Sequence, residues 1–443
     1  MNCSHTLTNF KHRTDPNQNF DLTKEDFDLL HIYLCIYLYI CTNSYAMQEL
    51  LSLSDKLVRE VSTEFNRYLF REINWNNRLI GIKGARGTGK TTLMLQWLKQ
   101  QEISSSKGAY LSLDDMYFTS HSLLESGSDF YQKGGKVLVL DEVHKYPHWA
   151  REIKNLYDRY NDLQIIFTGS SIIDISRQES DLSRRVLMYE LHGLSYREYL
   201  KMNRYLDTDA IPLELLMESN QDIRAMFPPD FRPLEYFDDY LRHGYYPFFT
   251  EDKIGYPMRL RQLIRQIVES DMAEIKGFDI RNAKKMLQLI YIISQQVPFK
   301  PNIVKLSQKS QIHRNSILNY LYFLEEARLI KLLYPTGKSI ATLQKPEKIF
   351  LNNSNLLYAI AEDQPSKGTV RETFFLNQVS VLQRVNQPGN TDFEVNGKYL
   401  FEIGGAGKNS KQVQGLSNAF IVKDSVDYPA GNAMPLWVFG FLY

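Results

Sequence analysis

At 443 residues, 43% hydrophobic and 23% charged, the chain is too long for one hydrophobic core and reads as a folded protein of two to four domains. A net charge of +1 excludes both a global basic field and an acidic tail, so any nucleic-acid footprint must be local. Cys3, Cys35 and Cys41 are the only cysteines; this excludes a disulfide framework or cysteine metal centre in the body and fits a reducing, cytoplasmic setting.

Residues 1–46 are polar, rich in Asn and Thr, and hold all the cysteine. Their one apolar run, "IYLCIYLYIC" at Ile32–Cys41, is too short to span a bilayer, so no membrane association is expected. "MQELLSLSDKLVREV" then opens a helix pattern at Met47, which is expected to be the natural start. Residues 1–46 are expected to be an unstructured extension without a function.

From Leu79 to Leu191 short apolar runs alternate with helical stretches: "RLIGIKG", "AYLSL", "KVLVLDE", "QIIFTGS" and "VLMYEL". Continuous hydrophobicity marks strands buried on both faces of a parallel sheet, with helices at Thr91–Gln100 and Ala150–Tyr160. The expectation is an α/β domain over 47–205 with three αβα layers.

Gly84-Ala85-Arg86-Gly87-Thr88-Gly89-Lys90-Thr91 fits G-x-x-x-x-G-K-[ST], with a strand before it and a helix after. The glycines let backbone N–H groups close on phosphate oxygens, and the helix N-terminus adds its positive end. Residues 84–92, including Thr92, are expected to hold ATP; Lys90 would reach the β- and γ-phosphates and Thr91 would ligate Mg²⁺. "KVLVLDEVH" ends a strand in Asp141, suited to hold Mg²⁺, and Glu142, placed to polarise an attacking water as general base. The strand "AYLSLDD" between these motifs predicts the topology in which a strand separates the two Walker strands and a catalytic Glu is used. Asp114 and Asp115 at its end read mainly as a solvated edge. Thr168 or Ser170 at the next strand's edge would sense the γ-phosphate, and Arg185, beside Arg184, would stabilise transition-state charge, in cis or from a neighbour in an oligomer, or else pair at the surface.

Residues 206–296 read as a helical lid or linker, broken by "FPPDFRP" and closed by "GYYP". Together "GARGTGKTTLMLQWL", "VLVLDEVHKYPHWAREIKNLYD", "IIFTGSS", "LSRRV…LHGLSYREYL" and "HGYYP" resemble AAA-type, archaeal-like P-loop ATPases with a C-terminal domain of unknown function, over roughly Met47–Tyr443. The resemblance implies a nucleotide core, a winged helix and a nuclease-like fold, with Lys90, Thr91, Asp141, Glu142, Ser170 and Arg185 in the roles above. Arg184-Arg185 and His243-Gly244-Tyr245-Tyr246-Pro247 depart from the family pattern. His144, Pro147 and Trp149 are family-like, with packing as the one role derived for them.

"NIVKLSQKSQIHRNSILNYLYFLEEARLI" reads as helix, turn, helix: Ile317, Leu321 and Leu324 form one apolar face, with Arg314, Asn315 and Asn319 elsewhere. "LIKLLYPTGK" adds a strand and a wing-like turn, giving a winged helix over 297–348. From Lys300 to Lys348 nine Lys or Arg stand against three Glu, a local +6 suited to a duplex DNA backbone or to domain packing. In 349–443, Glu372, Asp392 and Glu402 resemble the metal-binding carboxylates of the restriction-endonuclease-like fold. Pairing about Asn396–Lys398 places Asp392 opposite Glu402 when residue pairs sum to 794, whereas a sum of 793 puts Glu402 on the other face. Gly404 stands where the catalytic lysine is expected and Lys408 is a poor substitute, so a nuclease-like α+β domain without activity is expected.

The whole reading is a P-loop α/β core with a catalytic Glu, followed by a helical segment, a winged helix and a small nuclease-like α+β domain. ATP hydrolysis would be coupled to movement of these parts. A protein-directed signalling switch and an ATP-regulated nuclease are the alternatives.

Overall fold

The computed structural model describes residues 46–170, 182, 184–218, 223–274, 278–295, 297–301, 303–337, 345–408, 413–429 and 433–443. The cysteines and the Ile32–Cys41 run lie outside them. The chain divides into two compact units, residues 1–53 and 54–443. In the first, the described residues 46–53 are helical, as the pattern from Met47 predicts. Among the described residues no helix is long and apolar enough to cross a membrane.

In the second unit, strands β1 (Leu79–Gly84), β2 (Gly108–Ser112), β3 (Val137–Asp141), β4 (Gln164–Ser170) and β5 (Leu187–Glu190) form a parallel sheet in the order β2-β3-β4-β1-β5. β1, β3 and β4 are buried nearly throughout, as continuous apolar runs require. β5 is the exception. It lies at the sheet edge with Leu187 and Met188 exposed.

The strand lying between the two Walker strands is β4; "AYLSL" (β2) lies on the far side of β3, at the other edge. The sequence expectation chose the strand that intervenes along the chain, but chain order does not fix spatial order in a parallel sheet. The separation by one strand stands; the separating strand is corrected. Register aligns Gly84 with Ser170, and Leu140 with Phe167, so the chemistry-bearing residues meet at the strands' carboxyl ends.

The helix Lys90–Gln100 follows the P-loop, and Trp149–Arg159 covers the sheet with Trp149, Ala150, Ile153 and Leu156 buried on one face. Trp149 stacks obliquely on Phe167, centroids 5.5 Å apart, which bears out its packing role.

Beyond Leu191 a single apolar core runs from Leu194 to Leu442. It holds the helices Tyr196–Met202, Phe237–His243, Tyr256–Glu269 and Ala283–Ser294, and then Ile303–Ser310 and Arg314–Glu326. Ile317, Leu321 and Leu324 are fully buried, and Arg314 and Asn319 are exposed, as the spacing predicts. β6 (Ile330–Leu333) pairs antiparallel with β7 (Lys348–Leu351), so β7 crosses the expected 348/349 boundary.

The last layer is a mixed sheet. β8 (Val385–Asn386), β9 (Phe393–Val395), β10 (Tyr399–Gly404), β11 (Ala419–Lys423) and β12 (Ala433–Pro435) lie side by side in that order, with the helix Lys367–Val379 packed against them. β9 and β10 are antiparallel with Phe393 opposite Phe401 and Val395 opposite Tyr399, pairs that sum to 794. Asn396 and Gly397 adopt positive φ, 56° and 67°, in the intervening loop. The register is therefore the one that sets Asp392 against Glu402.

Candidate nucleotide site

Gly87 and Gly89 have φ of 81° and 93°, a backbone that L side chains rarely adopt, and Gly89 caps the helix that Lys90 begins. Lys90 is buried, and its Nζ donates to the carbonyls of Gly84 (3.0 Å) and Ala85 (3.1 Å) within its own loop. Burial lowers its pKa, opposed by Glu142 and Asp141. Thr88 closes the loop from inside, its hydroxyl donating to Ala85 O at 2.8 Å.

Asp141 ends β3, 2% exposed, surrounded by hydroxyls. Thr91 Oγ1 donates to its Oδ2 at 2.6 Å, Tyr110 OH to the same oxygen at 2.8 Å, and Thr168 Oγ1 to Oδ1. The all-oxygen donor set fits a hard divalent cation. Thr91 and Asp141 are thus the residues that would hold Mg²⁺.

Glu142 follows with φ 51° and ψ 40°, the left-handed region, uncommon for a residue with a side chain and enriched at active sites. Burial raises its pKa, and the charge of Lys90 opposes that shift. His144, for which the sequence offered packing alone, faces it with Nε2 3.3 Å from Glu142 Oε2. Its Nδ1 accepts from the backbone N–H of Ser170 at 3.4 Å, and burial lowers its pKa to about 3, so the ring is neutral. Ser170 thus meets His144 through its backbone N–H, with no hydrogen bond from His144 Nε2 onward among the described residues, whereas Thr168 is the residue of β4 that binds Asp141.

Arg185 makes the surface pairing that its sequence position left open as one alternative. Its Nε and Nη2 donate to Asp158, on the exposed side of the Trp149–Arg159 helix, at 2.9 and 3.2 Å. The physical reason is local: Asp158 offers a near, partly solvated carboxylate. Asp114 is exposed and Asp115 caps the short helix Met116–Thr119, in keeping with a solvated strand end.

Sequence reasoning missed several neighbours. Arg67, 5% exposed, donates to Thr88 O in the P-loop (2.5 Å), to His192 O (2.7 Å) and Gly193 O (2.9 Å), and to Glu198 at 3.0 and 3.1 Å. Glu198 closes a capping box with Ser195, whose S-x-x-E spacing is readable in "SYRE". The "GYYPFF" segment packs on the loop: a side chain at Gly87 would come within 2.9 Å of Phe248. Tyr245 and Tyr246 are in turn held by Asn352 (3.4 Å), Asn353 (3.3 Å) and Asn355 (2.8 Å). A cavity of about 280 Å³ adjoins the loop, lined among others by Phe65, Gly89, Thr92, Gln96, Met202 and Pro247. Gln96 fixes one wall by donating to Ser62 O (2.7 Å) and Phe65 O (2.8 Å).

A second acidic cluster lies in the C-terminal sheet. Glu372, Asp392 and Glu402 are electrostatically coupled, and burial raises Glu372 to about 7. Lys348 Nζ reaches Glu372 (3.3 Å) and Asp392 (3.5 Å). Lys408 is bonded to Glu402 and lies against Gly404, within 2.5 Å of where a side chain there would begin. The glycine that removes the expected lysine thus makes room for one arriving four residues later.

In the basic stretch, Lys300, Lys305, Lys309, Arg314 and Lys345 are exposed. Arg328 instead pairs with Glu190 of β5 at 2.6 Å, Lys348 is in the acidic cluster, and burial lowers Lys331 to about 8. Lys338 lies outside the described residues. Part of the local +6 is therefore spent inside the molecule.

Residues 76–200 match the family described as "AAA domain", and residues 234–367 match a domain of unknown function, DUF8612. The uncharacterized protein MJ1637 of Methanocaldococcus jannaschii is 28% identical over 290 residues, 62% of this chain and 61% of that protein. The chain therefore spans under two thirds of this relative's length. Among solved structures, AMPPCP-bound DnaA from Aquifex aeolicus is similar at 15% identity and TM-score 0.23, over 63% of this chain and 88% of that one. C. elegans PCH-2 is similar at 17% and 0.23, over 65% and 67%. Likenesses this distant carry no functional inference. The family match bears on residues 76–200, the stretch whose sheet carries these residues at its carboxyl edge.

Proposed function

We propose that the protein binds and hydrolyses ATP with Mg²⁺, and that nucleotide state is passed to the region after residue 206. The observation that carries the reading is the convergence of Lys90, Thr91, Asp141, Glu142 and Thr168 around one corner of the sheet. The neighbouring cavity would take the base and sugar. Mg²⁺, when bound, would neutralise charge on the β- and γ-phosphates. Lys90 holds the same phosphates. Glu142 accepts a proton from water as its oxygen bonds to the γ-phosphorus; the bond to the bridging oxygen breaks, leaving ADP and phosphate.

Coupling is supported by the approach of Phe248 to Gly87, which crosses from the P-loop to the segment after residue 206, and by the Tyr246–Asn353 hydrogen bond, which carries that segment on to the residues after β7. β6 and β7 with the two helices before them are consistent with a winged helix, and the exposed lysines leave duplex DNA as a partner to be tested. ATP turnover with and without duplex DNA decides this. Stimulation that fades with salt supports a DNA-coupled ATPase; turnover indifferent to DNA favours a protein-directed switch; no turnover ends the reading. The 794 register favours a second reading, ATP-regulated cleavage at Glu372, Asp392 and Glu402. It requires cleavage that vanishes in Asp392→Ala.

A further inference from the structure

Arg86 occupies the middle of the P-loop, and its Nη1 donates to both oxygens of Asp271, at 3.0 and 3.2 Å. Asp271 comes from outside the AAA domain. It opens the turn that follows the Tyr256–Glu269 helix and is 2% exposed. Lys145, three residues past Glu142, reaches the same carboxylate at 3.5 Å and donates to Ser270 Oγ at 3.3 Å. Cations from both nucleotide motifs thus converge on one buried anion of the helical segment.

The pair stands among the groups that would handle the γ-phosphate. The charge of Arg86 acts on Lys90, Glu142 and His144, and that of Asp271 on Lys90 and Glu142. Two kinds of anion would compete for Arg86 here: a carboxylate already in place and the third phosphate of an incoming nucleotide. ADP lacks that phosphate. Lys145 stays with Asp271 when Arg86 leaves, so the exchange does not strand a buried charge, which would oppose it strongly.

We propose that Arg86 exchanges between Asp271, where it ties the helical segment to the P-loop, and the γ-phosphate of ATP, where it stabilises charge during transfer. Asp271 is a positioning residue, and the helix before it senses whether the third phosphate is present. The inference rests on the ATPase reading.

The test measures the affinities of fluorescently labelled ADP and of the labelled β,γ-imido analogue of ATP, together with ATP turnover, on the full chain. Arg86→Ala should keep ADP affinity within about threefold, lose about tenfold in preference for the triphosphate, and drop kcat by about 100-fold or more. Arg86→Lys should recover part of both. Asp271→Asn should tighten the triphosphate about fivefold without changing ADP, Asp271→Glu should resemble the wild type, and the double variant should match Arg86→Ala because Asp271 acts through Arg86. Retention by Arg86→Ala of both the triphosphate preference and kcat overturns the proposal, as does equal weakening of both nucleotides in either variant. A wild type that binds ATP without turnover overturns the ATPase reading, while the triphosphate preference of Arg86→Ala still decides the exchange.

Discussion

The molecule holds two buried acidic clusters, and they treat their charge differently. At the AAA site, Asp141 is surrounded by the hydroxyls of Thr91, Tyr110 and Thr168, while Lys90 spends its donors on loop carbonyls. In the C-terminal sheet, the amines of Lys348 and Lys408 sit directly on Glu372, Asp392 and Glu402. Hydroxyls orient a carboxylate without cancelling it, and so leave it for an incoming cation; ammonium groups neutralise it from within. On the proposed reading, the first cluster acts on a ligand. The second is largely complete in itself.

The largest effect that would break this comparison is at Lys90. Lys90→Ala is expected to weaken ATP binding by about 100-fold or more, read by titration, since a buried charge next to the phosphates is lost. Glu142→Gln should bind ATP normally yet hydrolyse it about 100-fold more slowly or worse, as loss of a general base implies; normal turnover would remove Glu142 from that role. His144→Ala is expected to cost about tenfold in kcat at unchanged affinity, a modest share of the range for groups acting on a catalytic base. Because His144 stays neutral down to about pH 3, the wild-type rate profile should show no histidine step between about pH 5 and 8.

The C-terminal cluster makes a thermal prediction. Glu372 is raised from 4.5 to about 7 by burial, so the native state binds its proton more tightly than the unfolded chain does. Its stabilising contribution is full below 4.5 and lost as pH rises through about 7. Glu372→Gln should therefore raise Tm by about 2–5 °C at pH 8 and leave it unchanged at about pH 3.5. A rise equal at both values would mean that the carboxylate's charge is not what matters. Smallest of all, Arg185→Ala should alter turnover by less than about twofold, the consequence of a partly solvated pair with Asp158. A large loss would restore the role the sequence assigned to it.

How much of this was legible in the sequence follows from distance along the chain. Gly84–Thr91 are consecutive, so loop, strand and helix announce one another, and Asp141-Glu142 close a strand visible by its apolar run. His144 carried only a weak signal, two residues after Glu142, because what gives it a role is Ser170 across the sheet. Arg67, Asp271 and the Tyr246–Asn353 contact are long-range pairings with no local pattern. The spatial place of β4 was hidden for the same reason: parallel strands are ordered by crossovers. The β9–β10 hairpin was different, since turn geometry limited the register to two choices. Lys408 was discounted on spacing alone, which misses that Gly404 leaves the room its stem fills.

Strand β7 has a practical consequence for anyone wishing to study the parts in isolation. Its backbone zips onto Ile330–Leu333, its first side chain pairs with Glu372 and Asp392, and the residues just after it grip Tyr245 and Tyr246 beside the P-loop. Severing the polypeptide between residues 348 and 349 would leave one fragment with an unzipped edge strand and the other with carboxylates stripped of their counter-ion. Neither half is a fair proxy for the whole, so activities should be sought in the intact chain.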